Sequence, residues 1–68
     1  MIEGYRLLLA SSVGDREGMA IELALEDGTR VAEVFEDDET GRQTVNVFLS
    51  DVPIDAIEML LAEARARL

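Results

Sequence analysis

Larger apolar residues alternate with small or acidic residues over positions 19–26, the clearest period-two pattern in the chain. Methionine, isoleucine and two leucines occupy positions 19, 21, 23 and 25. Alternation of this kind is typical of a strand with one buried face. The earlier segment, residues 5–12, is apolar on both faces, which indicates a buried or central strand. Two strands are therefore predicted before the turn at Asp27-Gly28.

The first such turn is Asp27-Gly28, the preferred centre of a two-residue type I′ hairpin in which both central residues have positive φ. A two-residue loop at this place fixes the pairing of the strands on either side. It predicts three cross-strand pairs: Leu25 with Arg30, Leu23 with Ala32, and Ile21 with Val34. A shift of one residue would turn Glu33 into the core, so this register is favoured.

The second turn, Asp38-Glu39-Thr40-Gly41, is predicted as a type I turn with Gly41 in the left-handed position. Its four-residue loop places Asp37 opposite Arg42. Further along the same strands it pairs Val34 with Val45 and Ala32 with Val47. Both turns thus predict one buried face, which consists of Ile21, Leu23, Ala32, Val34, Val45, Val47 and Leu49.

From Pro53 onward the apolar period changes to 3.6 residues, which predicts an amphipathic helix. We expect Pro53 in the first turn, with Ser50 or Asp51 as the N-cap. The apolar stripe is predicted to be Ile54, Ile57, Leu60, Leu61, Ala64 and Leu68, and the exposed back of the helix Met59, Ala62 and Ala66. The predicted fold is α+β: an antiparallel β-meander of three to four strands with one C-terminal helix packed on one face (ββββα), two layers in a single domain over residues 1–68.

The same register leaves a second sheet face that no remaining element covers. Glu22 lies opposite Glu33 there, and like charges in direct opposition are destabilising unless a basic group lies nearby. An apolar centre with an acidic rim is typical of an interaction surface. The alternative is that these are ordinary strand-forming residues at an exposed face. The apolar residues of this predicted open face are Ala20, Ala24, Val31, Phe35 and Phe48, with Val31 and Phe48 as cross-strand partners.

Charge sharpens this picture. Ten of the fifteen carboxylates fall in residues 15–39, which contain only two arginines, so this segment has a net charge of −8 out of −9 for the chain. They end in an unbroken run that we name the acidic turn: Glu36, Asp37, Asp38 and Glu39. Such a surface attracts basic proteins and repels nucleic acid over about 8–10 Å at physiological salt. Direct nucleic-acid binding is therefore not expected, whereas mimicry of nucleic acid stays open.

The chain has 68 residues and no cysteine or histidine, which excludes disulfides, ordinary zinc sites and iron–sulfur clusters as supports for so small a fold. An oligomer or a binding partner is the support that is left, with a well-packed monomer as the alternative. The apolar fraction of 49% argues against a disordered acidic tail. The opening lacks the basic residues of a signal peptide, and the apolar run 7–10 is too short for a membrane span, so we expect a cytoplasmic protein with no membrane partner.

Candidate chemistry is sparse. Without histidine, lysine or cysteine, the serines and threonines have no base to activate them, and we predict that the chain is not an enzyme. The acidic turn lacks the EF-hand order of ligands, so no specific metal site is predicted, although weak association with a divalent cation stays open. The glycines form neither a Gly-x-Gly-x-x-Gly nor a Walker pattern. No cofactor is expected.

Two hypotheses follow. The first is an inhibitor or adaptor that binds a basic protein surface; in size and charge the chain resembles toxin-neutralising immunity proteins, antitoxins and phage-encoded inhibitors, but no motif selects one of them. The second is a homodimeric structural or accessory protein that associates with itself through the open sheet face or an edge strand. The predicted protein-binding residues are Glu22, Val31, Glu33, Phe35, Phe48, Glu36, Asp37, Asp38 and Glu39.

Overall fold

The computed structural model describes residues 3–11 and 17–68. Four strands form one antiparallel sheet in the order β1-β2-β3-β4, and a single helix packs on one face of it. This architecture confirms the predicted α+β fold of ββββα order. Ser12, the predicted end of the first strand, lies outside the described residues. The elements are β1 (Tyr5–Ser11), β2 (Gly18–Leu25), β3 (Arg30–Asp37), β4 (Gln43–Val47) and α1 (Ile54–Arg67).

The turn between β2 and β3 has a three-residue loop, so the predicted two-residue type I′ turn is wrong. The N–H of Leu25 donates to the carbonyl of Thr29 at 2.8 Å, and the N–H of Gly28 donates to the carbonyl of Leu25 at 2.9 Å. Gly28 alone in this loop has a positive φ, 94°. The Asp27 carboxylate accepts a hydrogen bond from the N–H of Thr29, a local contact that lets Asp27 keep a negative φ. Asp27 thereby avoids the left-handed region of backbone conformation, which is unfavourable for residues other than glycine.

A β-bulge restores the predicted register within two residues of this turn. The longer loop pairs Ala24 with Arg30, whereas Leu23 pairs with Ala32 as predicted, and the register shifts between these two pairs. The predicted pairing of Leu25 with Arg30 is therefore wrong. Val31 is the extra residue of the bulge. Without this correction the whole of β3 would present its opposite face to the helix.

The bulge also decides on which side Val31 and Arg30 lie. Val31 is 1% exposed and belongs to the buried cluster that contains the helix residues, so its predicted place on the open face is wrong. Arg30 takes that outward position, next to Glu22 and Glu33. The bulge thus exchanges an apolar side chain for a cation on the outer face of the sheet.

The turn between β3 and β4 confirms the prediction. The N–H of Asp37 donates to the carbonyl of Arg42 at 3.0 Å, and Gly41 has a φ of 72°. The Asp37 carboxylate accepts hydrogen bonds from the N–H groups of Glu39 and Thr40 at 2.8 and 3.2 Å, which fixes the loop. As predicted, Val34 pairs with Val45 and Ala32 with Val47.

Helix α1 contacts β2, β3 and β1, but not β4. Val45, Val47 and Leu49, all predicted to be buried, are 49%, 52% and 41% exposed. The reason is geometric: a helix is about 10–12 Å wide and strands lie about 4.8 Å apart, so one helix covers two to three strands. The buried core is therefore centred on the inner strands and consists of Ile21, Leu23, Val31, Ala32, Val34, Ala56, Leu60 and Ala64.

The buried stripe of α1 differs from the predicted one. Ala56, Leu60 and Ala64 are buried, whereas Ile54 is 76% exposed and Leu61 38% exposed. These three residues are spaced at i,i+4, and the stripe that they form faces β2, β3 and β1.

Two smaller predictions for this helix also fail. Met59 packs against the core instead of lying on the exposed back of the helix. Pro53 is the N-cap, and the helix start has no side-chain cap because the proline ring carries no hydrogen-bonding group; the predicted Ser50 or Asp51 cap is wrong. Among the described residues, no helix has both the length and the apolar character needed to cross a membrane.

Candidate protein-binding site

The centre of the outer sheet face is a compact charged cluster. Glu22 lies opposite Glu33, as predicted. Arg30 lies between them: its Nη2 is 3.0 Å from Oε1 of Glu33 and 3.6 Å from Oε2 of Glu22. The Asn46 amide donates to the other Glu33 oxygen at 3.0 Å. The like-charge pair is therefore compensated within the chain, and it does not need a basic group from a partner.

The two carboxylates of this cluster are largely shielded from solvent, whereas the Arg30 side chain is 47% exposed. The Glu33 side chain is only 2% exposed, and that of Glu22 18%. The ring of Phe48 stacks with the Arg30 guanidinium, whose central carbon lies 4.7 Å from the ring centroid, a cation–π contact. Phe48 remains 46% exposed. Of the predicted binding residues at this place, Phe48 is thus the most exposed, and the two carboxylates are ion-paired with Arg30.

Phe35 lies flat along the sheet instead of projecting from it. A Cβ atom on Gly18 would come within 2.8 Å of the Phe35 ring and would collide with the carbonyl oxygen of Glu36. Ala20 is the cross-strand partner of Phe35 and is fully buried. The ring covers a glycine and an alanine, which is a known way to fill the gap that small residues leave in a sheet.

The predicted open apolar face is therefore mostly closed. Phe35 is only 6% exposed, and Ala20 and Ala24 are buried as well. Because Val31 has moved to the helix side, Phe48 is left as an isolated apolar residue above the charged cluster. The prediction that Val31, Phe35 and Phe48 form one exposed apolar patch is therefore wrong, because only Phe48 is exposed.

The acidic turn is well ordered by hydrogen bonds. The Gln43 amide donates to Oε2 of Glu36 at 2.8 Å, and the N–H of Asp38 donates to the carbonyl of Glu17 at 3.0 Å. Asp38 and Glu39 are exposed at the tip. In the part of the chain that the structure describes, the ion pairs of Arg30 and Arg67 do not reach the acidic turn, and no group of three acidic side chains is arranged to hold a metal ion.

A second accessible surface was not predicted from the sequence. An open groove of about 190 Å³ runs between β4 and α1, with Val45 and Leu61 among its walls and Arg65 at its margin. Ile54 lies two helical turns before Leu61 and therefore on the same stripe of α1. The sequence contains one signal for the β4 part of this region: residues 43–50 carry no charge, although the chain has a net charge of −9. We name it the β4–α1 strip; it consists of Val45, Val47, Leu49, Ile54 and Leu61.

The described surface thus offers two candidate contact regions: the acidic turn, with carboxylates on a fixed loop, and the apolar, uncharged β4–α1 strip. Neither region contains a histidine, cysteine or lysine, since the chain has none. No protein-family model, curated protein or solved structure matches this chain.

Proposed function

We propose that this chain is a small, non-enzymatic protein-binding module, an inhibitor or adaptor of the cytoplasm that engages the basic surface of another protein. The acidic turn is the contact region. The observation that supports it most directly is the pair of exposed carboxylates, Asp38 and Glu39, on a loop held by the Asp37 hydrogen bonds. In the described residues no arginine pairs with them.

A fixed loop favours this role for a physical reason. Binding loses conformational entropy when a loop must be ordered, and a loop that is already ordered avoids much of that loss. Exposed carboxylates also speed the diffusional encounter with a cationic surface, an effect that salt weakens. Glu22 and Glu33 have a different role in this proposal, because they are occupied by Arg30 within the chain.

Phe48 is a separate anchor point. Phe48 lies six positions after Arg42, the residue that follows the β3–β4 loop, and an extended chain of that length spans about 20 Å. A standard interface, about 800 Å² per partner, is large enough to include both. The acidic turn supplies electrostatic attraction, and Phe48 adds apolar contact area at the other end of β4.

The test is a comparison of two charge-matched double variants. Asp38→Asn with Glu39→Gln removes two charges from the acidic turn, and Glu26→Gln with Glu58→Gln removes two from exposed positions elsewhere. Each variant and the wild type are immobilised and used to capture proteins from the source cell. Because each surface ion pair contributes up to about 1 kcal/mol and two are lost, we expect up to about thirtyfold weaker capture of basic proteins by the turn variant alone.

The association rate of a captured partner should then fall steeply as salt is raised. Equal capture by the two variants, or an association rate that salt does not change, would contradict the proposal.

A second candidate function, a homodimeric accessory protein, is favoured by a different observation. The β4–α1 strip leaves five large apolar side chains between 38% and 76% exposed. The first candidate does not use this surface.

A further inference from the structure

We propose that the β4 edge binds a second copy of this chain, with β4 pairing antiparallel to β4 of the other molecule to form one continuous eight-stranded sheet. This inference rests on the second candidate function, the homodimer, and specifies its interface; it does not depend on the binding of a basic partner. It rests on the backbone geometry of β4 and on the distribution of charge along the edge.

Within residues 3–11 and 17–68, the backbone of β4 has unpaired hydrogen-bonding groups that face outward. Backbone hydrogen bonds join Asp37 to Arg42 and Phe48 to Val31 at the two ends of the β3–β4 pair. Since alternate residues of an antiparallel strand point their N–H and C=O groups to the same side, residues 42, 44, 46 and 48 face β3. The corresponding groups of Val45 and Val47 face away from the sheet. They match the groups that an added antiparallel strand requires.

This edge lacks the features that usually prevent strand addition. Natural edge strands are protected by charged side chains, proline, bulges or a covering element. β4 pairs with β3 without a register shift, all five of its residues are exposed, and α1 does not contact it. Residues 43–50 contain neither a charged residue nor proline.

Charge favours a second copy as the occupant. Two molecules of net charge −9 repel each other, so they associate best where each is uncharged. A basic partner, by contrast, would gain little electrostatic attraction from the β4 edge, because residues 43–50 contain no carboxylate. A twofold axis perpendicular to the sheet can pair Val45 with Val47 of the second copy. The symmetry repeats the same pair on the other side of the axis, so each strand contributes both valines to the contact.

The other edge of the sheet fits less well. Helix α1 contacts β1, and Tyr5 and Leu7 of that strand pack against the core. β1 also contains a charged residue, Arg6. Pairing through β4 places four valines side by side on the helix side of the joined sheet. Because a strand of five residues makes a small interface, below about 1,200 Å², we expect a dimer that dissociates at about 10–100 μM.

The decisive variants change the backbone and not the side-chain volume. Val45→Pro removes an outward N–H, which an edge strand tolerates, whereas Val45→Thr keeps both the N–H and the shape of the side chain. We expect sedimentation velocity between about 1 μM and about 1 mM to show a concentration-dependent dimer for the wild type and Val45→Thr, and only monomer for Val45→Pro. Circular dichroism confirms that each variant is folded.

A matched pair of charge variants tests which edge strand, β4 or β1, forms the dimer contact. Val47→Lys and Leu9→Lys introduce the same charge at 52% and 44% exposed positions on opposite edges. Only Val47→Lys should abolish the dimer. In the wild type, the exchange of the Val45 and Val47 amide hydrogens should also slow as the protein concentration rises.

Several results would overturn this inference: a wild type that stays monomeric over the whole range, a Val45→Pro variant that still dimerises, or loss of the dimer on Leu9→Lys. If Val47→Lys abolishes association and Val45→Pro does not, the occupant contacts the side chains of the groove and not the strand edge. Salt separates the two proposals, since screening should strengthen self-association between acidic molecules but weaken binding to a basic partner.

Discussion

The two hairpins that share β3 differ sharply in burial, although their turns are alike. Each turn contains an aspartate that accepts a hydrogen bond from the N–H two residues further on, and each contains a left-handed glycine. Yet β2 and β3 are buried over most of their length, whereas every residue of β4 is exposed. Similar turns therefore do not give similar burial, and the position of α1 decides which strand pairs are buried.

The hairpins also differ in how the register is reached. The β3–β4 loop gives the observed pairing directly, whereas the β2–β3 loop is one residue longer than predicted and needs a bulge. The final register of the inner strands is nevertheless the predicted one. Because a shift of one residue would exchange the two faces of β3, burial of the correct face determines the register, and the loop adapts to it.

The largest expected effect tests the difference in burial. Leu23→Ala removes a fully buried side chain of the β2–β3 hairpin and should lower the free energy of unfolding by about 2–5 kcal/mol. Val47→Ala, on the exposed strand of the other hairpin, should lower it by less than about 0.5 kcal/mol. Urea unfolding at a concentration where the protein is monomeric measures both. Similar losses would show that β4 is as buried as β2.

A somewhat smaller effect tests the internal compensation of charge. Arg30→Met keeps most of the apolar stem but removes the guanidinium that lies 3.0 Å from the buried Glu33 carboxylate, so we expect a loss of about 2–3 kcal/mol at neutral pH. Arg67→Met is the control, because it breaks the exposed i,i+4 pair with Glu63 and should cost about 0.3–0.5 kcal/mol.

Adding Glu33→Gln to Arg30→Met should recover much of the stability, since the buried group is then neutral. If the double variant is as unstable as Arg30→Met alone, the loss comes from packing and not from charge.

The smallest expected effect concerns the β2–β3 turn and depends on pH. The hydrogen bond from the Thr29 backbone holds the pKa of Asp27 below its ordinary value of 3.8. The ionised carboxylate therefore stabilises the folded state above that value, and this contribution is lost as the pH falls from 3.8 through the lower pKa of the folded state. Asp27→Ala should destabilise the protein at neutral pH and less so in acid.

Thermal unfolding of the wild type, Asp27→Ala and Asp27→Asn from pH 7 to pH 2 provides the measurement. Asp27→Asn keeps an acceptor for the Thr29 N–H and serves as the control for the loss of charge alone. A gap between the wild type and Asp27→Ala that stays constant over this range would contradict the assignment.

The candidate site shows where sequence reasoning fails. The opposition of Glu22 and Glu33 was predicted, and so was the need for a basic group beside it. The identity of that group was not, because it depends on a one-residue bulge that no local pattern marks. The same bulge removed Val31 from the predicted open face, and a glycine at position 18 let Phe35 fold down onto the sheet.

The sequence by itself determined the order of the elements, the pairing of the inner strands and the acidic turn. These features depend on local turn chemistry and on hydrophobic periodicity, which act over a few residues. Tertiary structure alone decided where α1 lies across the sheet, and hence which apolar residues are exposed. That position depends on alanines at 56 and 64 meeting strand residues more than twenty positions away in the chain, a contact that no pattern within either segment predicts.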